Sequence, residues 1–236
     1  DDEIDYFIAS LRSLLPGLEF DRGQIVACYA GIRPLPRSEG TAAGLISRDH
    51  SAPVIEPDGP RMWPIISLVG GKWTTFRGFS EEVADLILRR ISTARRISTR
   101  ELPIGGGRDF PNDPHVWADS QASGAVSAAR ILVLLERYGT RATEVAEAEA
   151  GTGFLDDGGS WSAGEIAWIL RNEQVVHLSD AVLRRTPLAL TGSLTASMLE
   201  KIASTAGAEL GWTSEKVSDE MRSTAEILAS RYRVSI

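Results

Sequence analysis

The feature that most restricts this fold is a change of pattern at Leu102-Pro103-Ile104-Gly105-Gly106-Gly107. Before it, short apolar runs alternate with turn residues. After it, apolar residues recur only at helical spacing. In the first part, residues 25–32 read as a buried strand, 34–44 as loop, 45–55 as a second strand and 62–69 as a third. Pro57-Asp58-Gly59-Pro60 is the turn between the last two. Residues 2–15 carry Ile4, Phe7, Ile8, Leu11 and Leu15 at helical spacing and are stopped by Pro16-Gly17. Phe79, Val83, Leu86, Ile87 and Ile91 mark a second helix. Beyond the glycines, helices are expected over 122–138 (ending at Gly139), 141–150, 194–210 and 213–234. Ser162 with Glu165 forms a capping-box pattern for another, and Ser179 opens a short one that ends before Pro187. The expected class is α+β: a partial strand-and-helix segment over 1–105, then an all-helical domain over 106–236.

Within the first part, the run Leu68-Val69-Gly70-Gly71-Lys72-Trp73-Thr74-Thr75-Phe76-Arg77 carries the chemistry. An apolar strand ends in two glycines, a lysine and two threonines follow, and a helix begins. The first amide N–H groups of a helix lack acceptors and the peptide dipoles align, so such a junction attracts anions. Glycine lets backbone approach a ligand closely. Two more cations lie beside expected strand ends: Arg33 in Gly31-Ile32-Arg33-Pro34-Leu35 and Arg48 in Ser47-Arg48-Asp49-His50. Guanidinium offers a planar fork for phosphate, ammonium a compact charge. Taken singly, each cation would simply pair with a carboxylate such as Asp49 or Glu39. Together with the double glycine, convergence on one anion is the better reading.

Other candidates carry less. His50 could titrate near neutrality but reads first as structural. His115 and His177 have no ligand spacing, so no metal is expected. Gly105-Gly106-Gly107 lacks the Lys-Ser/Thr of a phosphate loop and reads as a linker. Asp156-Asp157-Gly158-Gly159 lacks the periodicity of a calcium loop. Trp117, Trp161, Trp168 and Trp212 read as helical-domain core. Arg184 and Arg185 read as a helix C-terminal cap with carboxylate partners such as Glu165 or Glu173.

Composition narrows the partners. A formal charge of −7 argues against nucleic acid. No apolar run approaches the ~20 residues that span a bilayer, and no signal-peptide pattern opens the chain. Cys28 is the single cysteine and reads as a buried small hydrophobe, which favours a reducing, cytoplasmic setting. The opening Asp1-Asp2-Glu3 suggests a piece of a longer protein.

In order and spacing, Ala30-Gly31-Ile32-Arg33-Pro34-Leu35, Ser47-Arg48-Asp49-His50 and Gly70-Gly71-Lys72-Trp73-Thr74-Thr75-Phe76-Arg77 resemble the FAD-dependent glycerol-3-phosphate dehydrogenases. The likeness continues through Tyr138-Gly139-Thr140-Arg141, Glu165-Ile166, Leu183-Arg184-Arg185-Thr186 and Leu210-Gly211-Trp212. Trp73 and Phe76 stand where the family more often has an aliphatic residue and a tyrosine. The family's Gly-x-Gly-x-x-Gly pyrophosphate fingerprint does not occur here, so the chain resembles the C-terminal portion: the end of the FAD and substrate domain plus the helical domain. The resemblance implies that Gly70, Gly71, Lys72, Trp73 and Thr74 line the flavin and that Arg33 and Arg48 hold glycerol 3-phosphate. It names no catalytic acid or base in this chain, and Arg77 reads equally as a structural partner of a carboxylate. It further implies FAD in the full-length protein, a quinone acceptor and peripheral membrane contact of the parent at the inner face. Two alternatives stay open: an alpha-glycerophosphate oxidase that passes electrons to oxygen, and a non-catalytic helical interaction or regulatory module. Oligomeric state is not readable.

Overall fold

The computed structural model describes residues 1–31, 49–70 and 72–236. The expectations placed on Arg33, Arg48 and Gly71 lie outside the described residues. Among those described, the regular elements in chain order are α1 (Asp2–Leu14), β1 (Val54–Ile55), β2 (Ile65–Ile66), α2 (Phe76–Arg90), α3 (Pro114–Gln121), α4 (Ala128–Tyr138), α5 (Ala142–Glu149), α6 (Ala163–Asn172), α7 (Leu178–Asp180), α8 (Ala196–Leu210) and α9 (Ser214–Ile227). Among the described residues the chain is mostly helical with one small two-stranded sheet, an α+β protein with a helical C-terminal part. It divides into two compact units: Asp1–Tyr29 with Ile104–Ile236, and Ala30–Pro103.

Local chemistry sets the helix ends of the first unit. Asp113 caps α3, accepting the His115 and Val116 N–H groups, with Pro114 at the first helical position. Ser127, Ser162, Thr195 and Thr213 cap α4, α6, α8 and α9 through side-chain oxygens. Gly139 (φ 60°) and Gly211 (φ 67°) close α4 and α8 in conformations that side chains seldom adopt. The expected helix over 122–138 starts only at Ala128, because Ser123 turns the chain first: its N–H donates to the Val126 carbonyl at 3.0 Å and its hydroxyl accepts the Ala125 and Val126 N–H groups. The expected helix over 213–234 leaves α geometry for a π-turn at Leu228–Tyr232.

These helices enclose one core. Ile131, Leu134, Ile166, Ile169, Leu178, Leu188, Met198, Ile202 and Leu228 are fully buried in it. Trp161 and Trp168 belong to it, and Trp117 and Trp212 pack against it, as read from the sequence. Gly106 proves to be more than linker. The Thr140 N–H donates to its carbonyl at 2.8 Å, and a Cβ on Gly106 or Gly139 would overlap the backbone of the other. Residues 25–31, expected to begin a buried strand, form none. Ile25, Val26 and Tyr29 are exposed, and among the described residues the stretch makes one backbone bond to a distant residue, Cys28 N–H to the Tyr232 carbonyl at 2.8 Å. Cys28 is half-buried rather than buried.

In the second unit β1 and β2 pair antiparallel, Val54 with Ile66 and Ile55 with Ile65. A bridge between Ser51 and Val69 extends the pairing beyond the strands. The long strands expected over 45–55 and 62–69 shrink to two residues each among the described residues. The reason is physical: among the described residues the hairpin has no third strand, Ile55, Ile65 and Leu68 are exposed, and isolated hairpins are marginal.

Candidate functional site

The residues described on either side of Gly71 connect the hairpin to α2. The chain leaves the Ser51–Val69 bridge, passes Gly70, and winds a 3-10 turn at Trp73–Thr75 that runs directly into α2. Thr75 secures the turn by donating its hydroxyl to the Lys72 carbonyl at 3.1 Å. The leading amide N–H groups of such a start have no acceptor within their own helix. Lys72, Trp73 and Thr74 are all exposed, Trp73 to 91%. The Lys72 ammonium pairs with Asp49 at 2.9 Å, the carboxylate partner that the simpler reading of this cation named. His50 lies against the same turn: a Cβ built on Gly70 would stand 3.7 Å from its Cβ. Its ring stacks on Phe79 at 4.6 Å and its Nε2 meets Glu82 at 3.1 Å. The chain thus brings residues 49–50, just past Arg48, beside Gly70 and Lys72. Among the described residues Arg77 pairs with no carboxylate; it donates to the carbonyls of Arg100 (3.3 Å) and Leu102.

A second polar constellation, not visible as such in the sequence, lies inside the helical unit. Arg130 forks onto Glu149 (Nε to Oε1 2.9 Å, Nη2 to Oε2 2.8 Å) and reaches Glu165 at 2.6 Å. Arg137 joins Glu165 at 2.9 Å, the Tyr138 hydroxyl donates to it at 2.8 Å, and Ser162 donates to Glu149 at 2.9 Å. All of Glu165 and most of Glu149 and Arg130 are removed from solvent. Burial alone would lower the Arg130 pKa, yet Glu149 and Glu165 hold it above its ordinary value. Burial and then the Glu165 carboxylate push the Tyr138 phenol upward, so it stays a donor. Two guanidiniums meet two carboxylates, each already bonded, which is the chemistry of a scaffold rather than of proton transfer. The capping box expected at Ser162 is therefore half formed. Ser162 accepts the Glu165 N–H at 2.9 Å, but the Glu165 carboxylate turns inward to the arginines. With Glu165 engaged, Arg184 pairs with Asp180, and Arg185 donates Nε to the Glu173 carbonyl at 2.5 Å rather than to a carboxylate. The signal that could have exposed this network is an arginine inside the apolar face of α4.

Among the described residues no three His, Cys, Asp or Glu side chains gather to hold a metal ion, and no helix is long and apolar enough to cross a membrane. Comparison with known proteins places the chain. Over 97% of its length it is 29% identical to a glycerol-3-phosphate dehydrogenase of Synechocystis sp., covering 42% of that protein. It is 26% identical over 97% of its length to the mitochondrial glycerol-3-phosphate dehydrogenase of Rattus norvegicus, covering 32% of it. The chain thus spans well under half the length of these relatives. Residues 97–217, more than half of the sequence, match the family described as the C-terminal domain of alpha-glycerophosphate oxidase. The chain belongs to that family, and it corresponds to the C-terminal portion of a glycerol-3-phosphate dehydrogenase.

Proposed function

We propose that this chain supplies one wall of the active site in a longer flavoenzyme that oxidises sn-glycerol 3-phosphate to dihydroxyacetone phosphate and delivers the electrons to a quinone. The observation that carries this reading is the exposed junction at Gly70 and Lys72, a cation at a helix start that no side chain caps, just past a β-bridge. Bound FAD would supply the hydride-accepting chemistry. Gly70, Gly71, Lys72, Trp73 and Thr74 suit the edge of such a ring, because an ammonium and amide donors stabilise negative charge that develops there. The sequence carries no Gly-x-Gly-x-x-Gly, so the pyrophosphate would be held by residues outside it. Arg33 and Arg48 hold the substrate phosphate in this reading and orient its C2 hydrogen. The quinone brings the parent to the inner face of a membrane, as a peripheral protein of the cytoplasm. The name of the matched family, an oxidase, keeps oxygen as the competing acceptor.

The test is turnover of the full-length protein. Arg33→Ala removes a charge-assisted fork onto phosphate, so KM for glycerol 3-phosphate should rise about 10- to 100-fold. Unchanged kinetics would sink the assignment. Stopped-flow reoxidation with a quinone analogue and with oxygen separates the two acceptors. A second reading, a non-catalytic helical module, has one observation in its favour: the helical unit closes its own core. Purified 236-residue chain that is yellow, or that binds added FAD tightly, would count against it.

A further inference from the structure

We infer that the helical unit carries a binding site for a free phosphomonoester of a small polyol, in the cavity of about 470 Å³ bordered by the end of α4, the Asp156–Trp161 loop and residues 185–193. That volume lies in the range of small-molecule sites. Two guanidiniums line it, each pinned at one end. Arg137 lies over the Trp161 ring at 3.8 Å and spends Nη1 on Glu165 and the Ser160 carbonyl. Its Nε and Nη2 make no hydrogen bond among the described residues. Arg185 spends Nε on the Glu173 carbonyl, and both its Nη groups are likewise uncommitted among the described residues. Such half-anchored guanidiniums lose little further freedom on forking onto a phosphate. The backbone that delivers Arg185 is itself unusual: Ala181–Arg185 is a π-helix, a rare geometry that recurs at functional sites. Gly192 (φ 71°) turns the opposite wall, setting the Thr191 and Ser193 hydroxyls 3.0 Å apart.

Asp156 is the one carboxylate on the lining. Its Oδ1 accepts the Ser160 N–H at 3.2 Å, which leaves Oδ2 as an acceptor. A bare inorganic anion would meet repulsion there, whereas an ester that carries hydroxyls can donate to it. This selects a phosphorylated polyol over phosphate alone.

Calorimetric titration of the full 236-residue chain with glycerol 3-phosphate, at constant ionic strength, tests the site. Saturable binding is expected, with a change in Trp161 fluorescence that Trp161→Phe abolishes. Arg185→Gln should weaken binding about tenfold, the loss of one charge-assisted bond. Arg33→Ala should leave this event unchanged, which separates it from the substrate reading above. Asp156→Asn, which leaves both arginines in place, should tighten inorganic phosphate and erase the preference for the ester. No saturable heat at about 1 mM ligand, or equal binding by Arg185→Gln and the parent chain, would overturn the inference. If Arg185→Gln does not fold, unchanged ligand preference in Asp156→Asn overturns it instead.

Discussion

The helical unit and the Ala30–Pro103 unit use the same kinds of side chain to opposite ends. The first buries nine leucine, isoleucine and methionine side chains completely and threads a charged network between its helices. In the second, Val83 is the one buried side chain among the described residues. Ile55, Met62, Trp63, Ile65, Leu68, Trp73 and Phe76 are exposed there. Scattered exposed apolar residues are normal, but this density around a two-residue sheet marks a surface built to be covered. The lesson is that the two units differ in self-sufficiency. Residues 104–236 of the helical unit close a core with their own side chains, whereas the second unit carries the exposed Gly70–Lys72 junction and has little core among the described residues. Relatives more than twice as long as this chain fit the proposal that the remainder of a longer protein closes the second unit.

The contrast breaks first at Arg130. Truncating it to alanine leaves Glu149 and Glu165 buried with fewer partners, which should cost the helical unit about 3–5 kcal/mol. Urea denaturation followed by far-UV circular dichroism measures this. The surface pair Arg90–Glu56 of the second unit, at 2.5 Å, should by comparison give no measurable change when Arg90 becomes alanine. Equal effects from the two substitutions would show that burial of the network adds nothing.

Core truncation should follow the same order. Leu134→Ala opens a cavity at a fully buried position and should cost about 2–5 kcal/mol. Val83→Ala removes less from a thinner shell and should cost about 1–2 kcal/mol. Thermal melts that show the larger loss at Val83 would reverse the comparison.

The same division governs what could be read from the sequence. Caps and stops are local, so Ser162, Gly139 and Gly211 mark helix ends without any knowledge of the fold. The helix start after Lys72 is likewise local, and it forms with a 3-10 turn at Trp73–Thr75 that leads into α2. Strands depend on partners, and residues 25–31 find, among the described residues, only the single Cys28–Tyr232 backbone bond to a distant residue rather than a ladder. The Arg130–Glu149 and Arg130–Glu165 contacts link residues 19 and 35 positions apart, beyond any pattern of helical period. The Lys72–Asp49 pair is intermediate: the carboxylate could be named, but that the two meet needed the turn in three dimensions. The Gly106 docking was missed because a glycine run looks the same whether it swings free or packs against backbone.

A smaller effect should appear at that docking point. Thr140 donates its hydroxyl to the carbonyls of Gly106 (3.0 Å) and Arg108 (2.7 Å). Thr140→Val keeps the shape and removes the donor, so the loss should be about 1 kcal/mol. Faster hydrogen exchange confined to residues 104–108 would mark the contact. Exchange unchanged there would mean that the glycine backbone alone holds the segment.

The least perturbing test uses pH and addresses the second unit. Glu81 accepts from the Thr99 N–H first of all, then from the Thr99 hydroxyl (2.8 Å), Arg95 and Ser98, and these partners lower its pKa from 4.5 to about 2. A carboxylate with a depressed folded pKa contributes stability above its ordinary pKa and loses it as pH falls through the folded one. The tie between α2 and residues 98–99 should therefore be intact at pH 5 and weaken progressively from about 4.5 down to about 2. An NMR titration of the Glu81 carboxyl, read beside the Thr99 amide, should give one shared midpoint near 2. A midpoint near 4.5 for Glu81 would mean that the second unit fails to hold even this tie without the surface that covers it. The contrast between the units would then be sharper still.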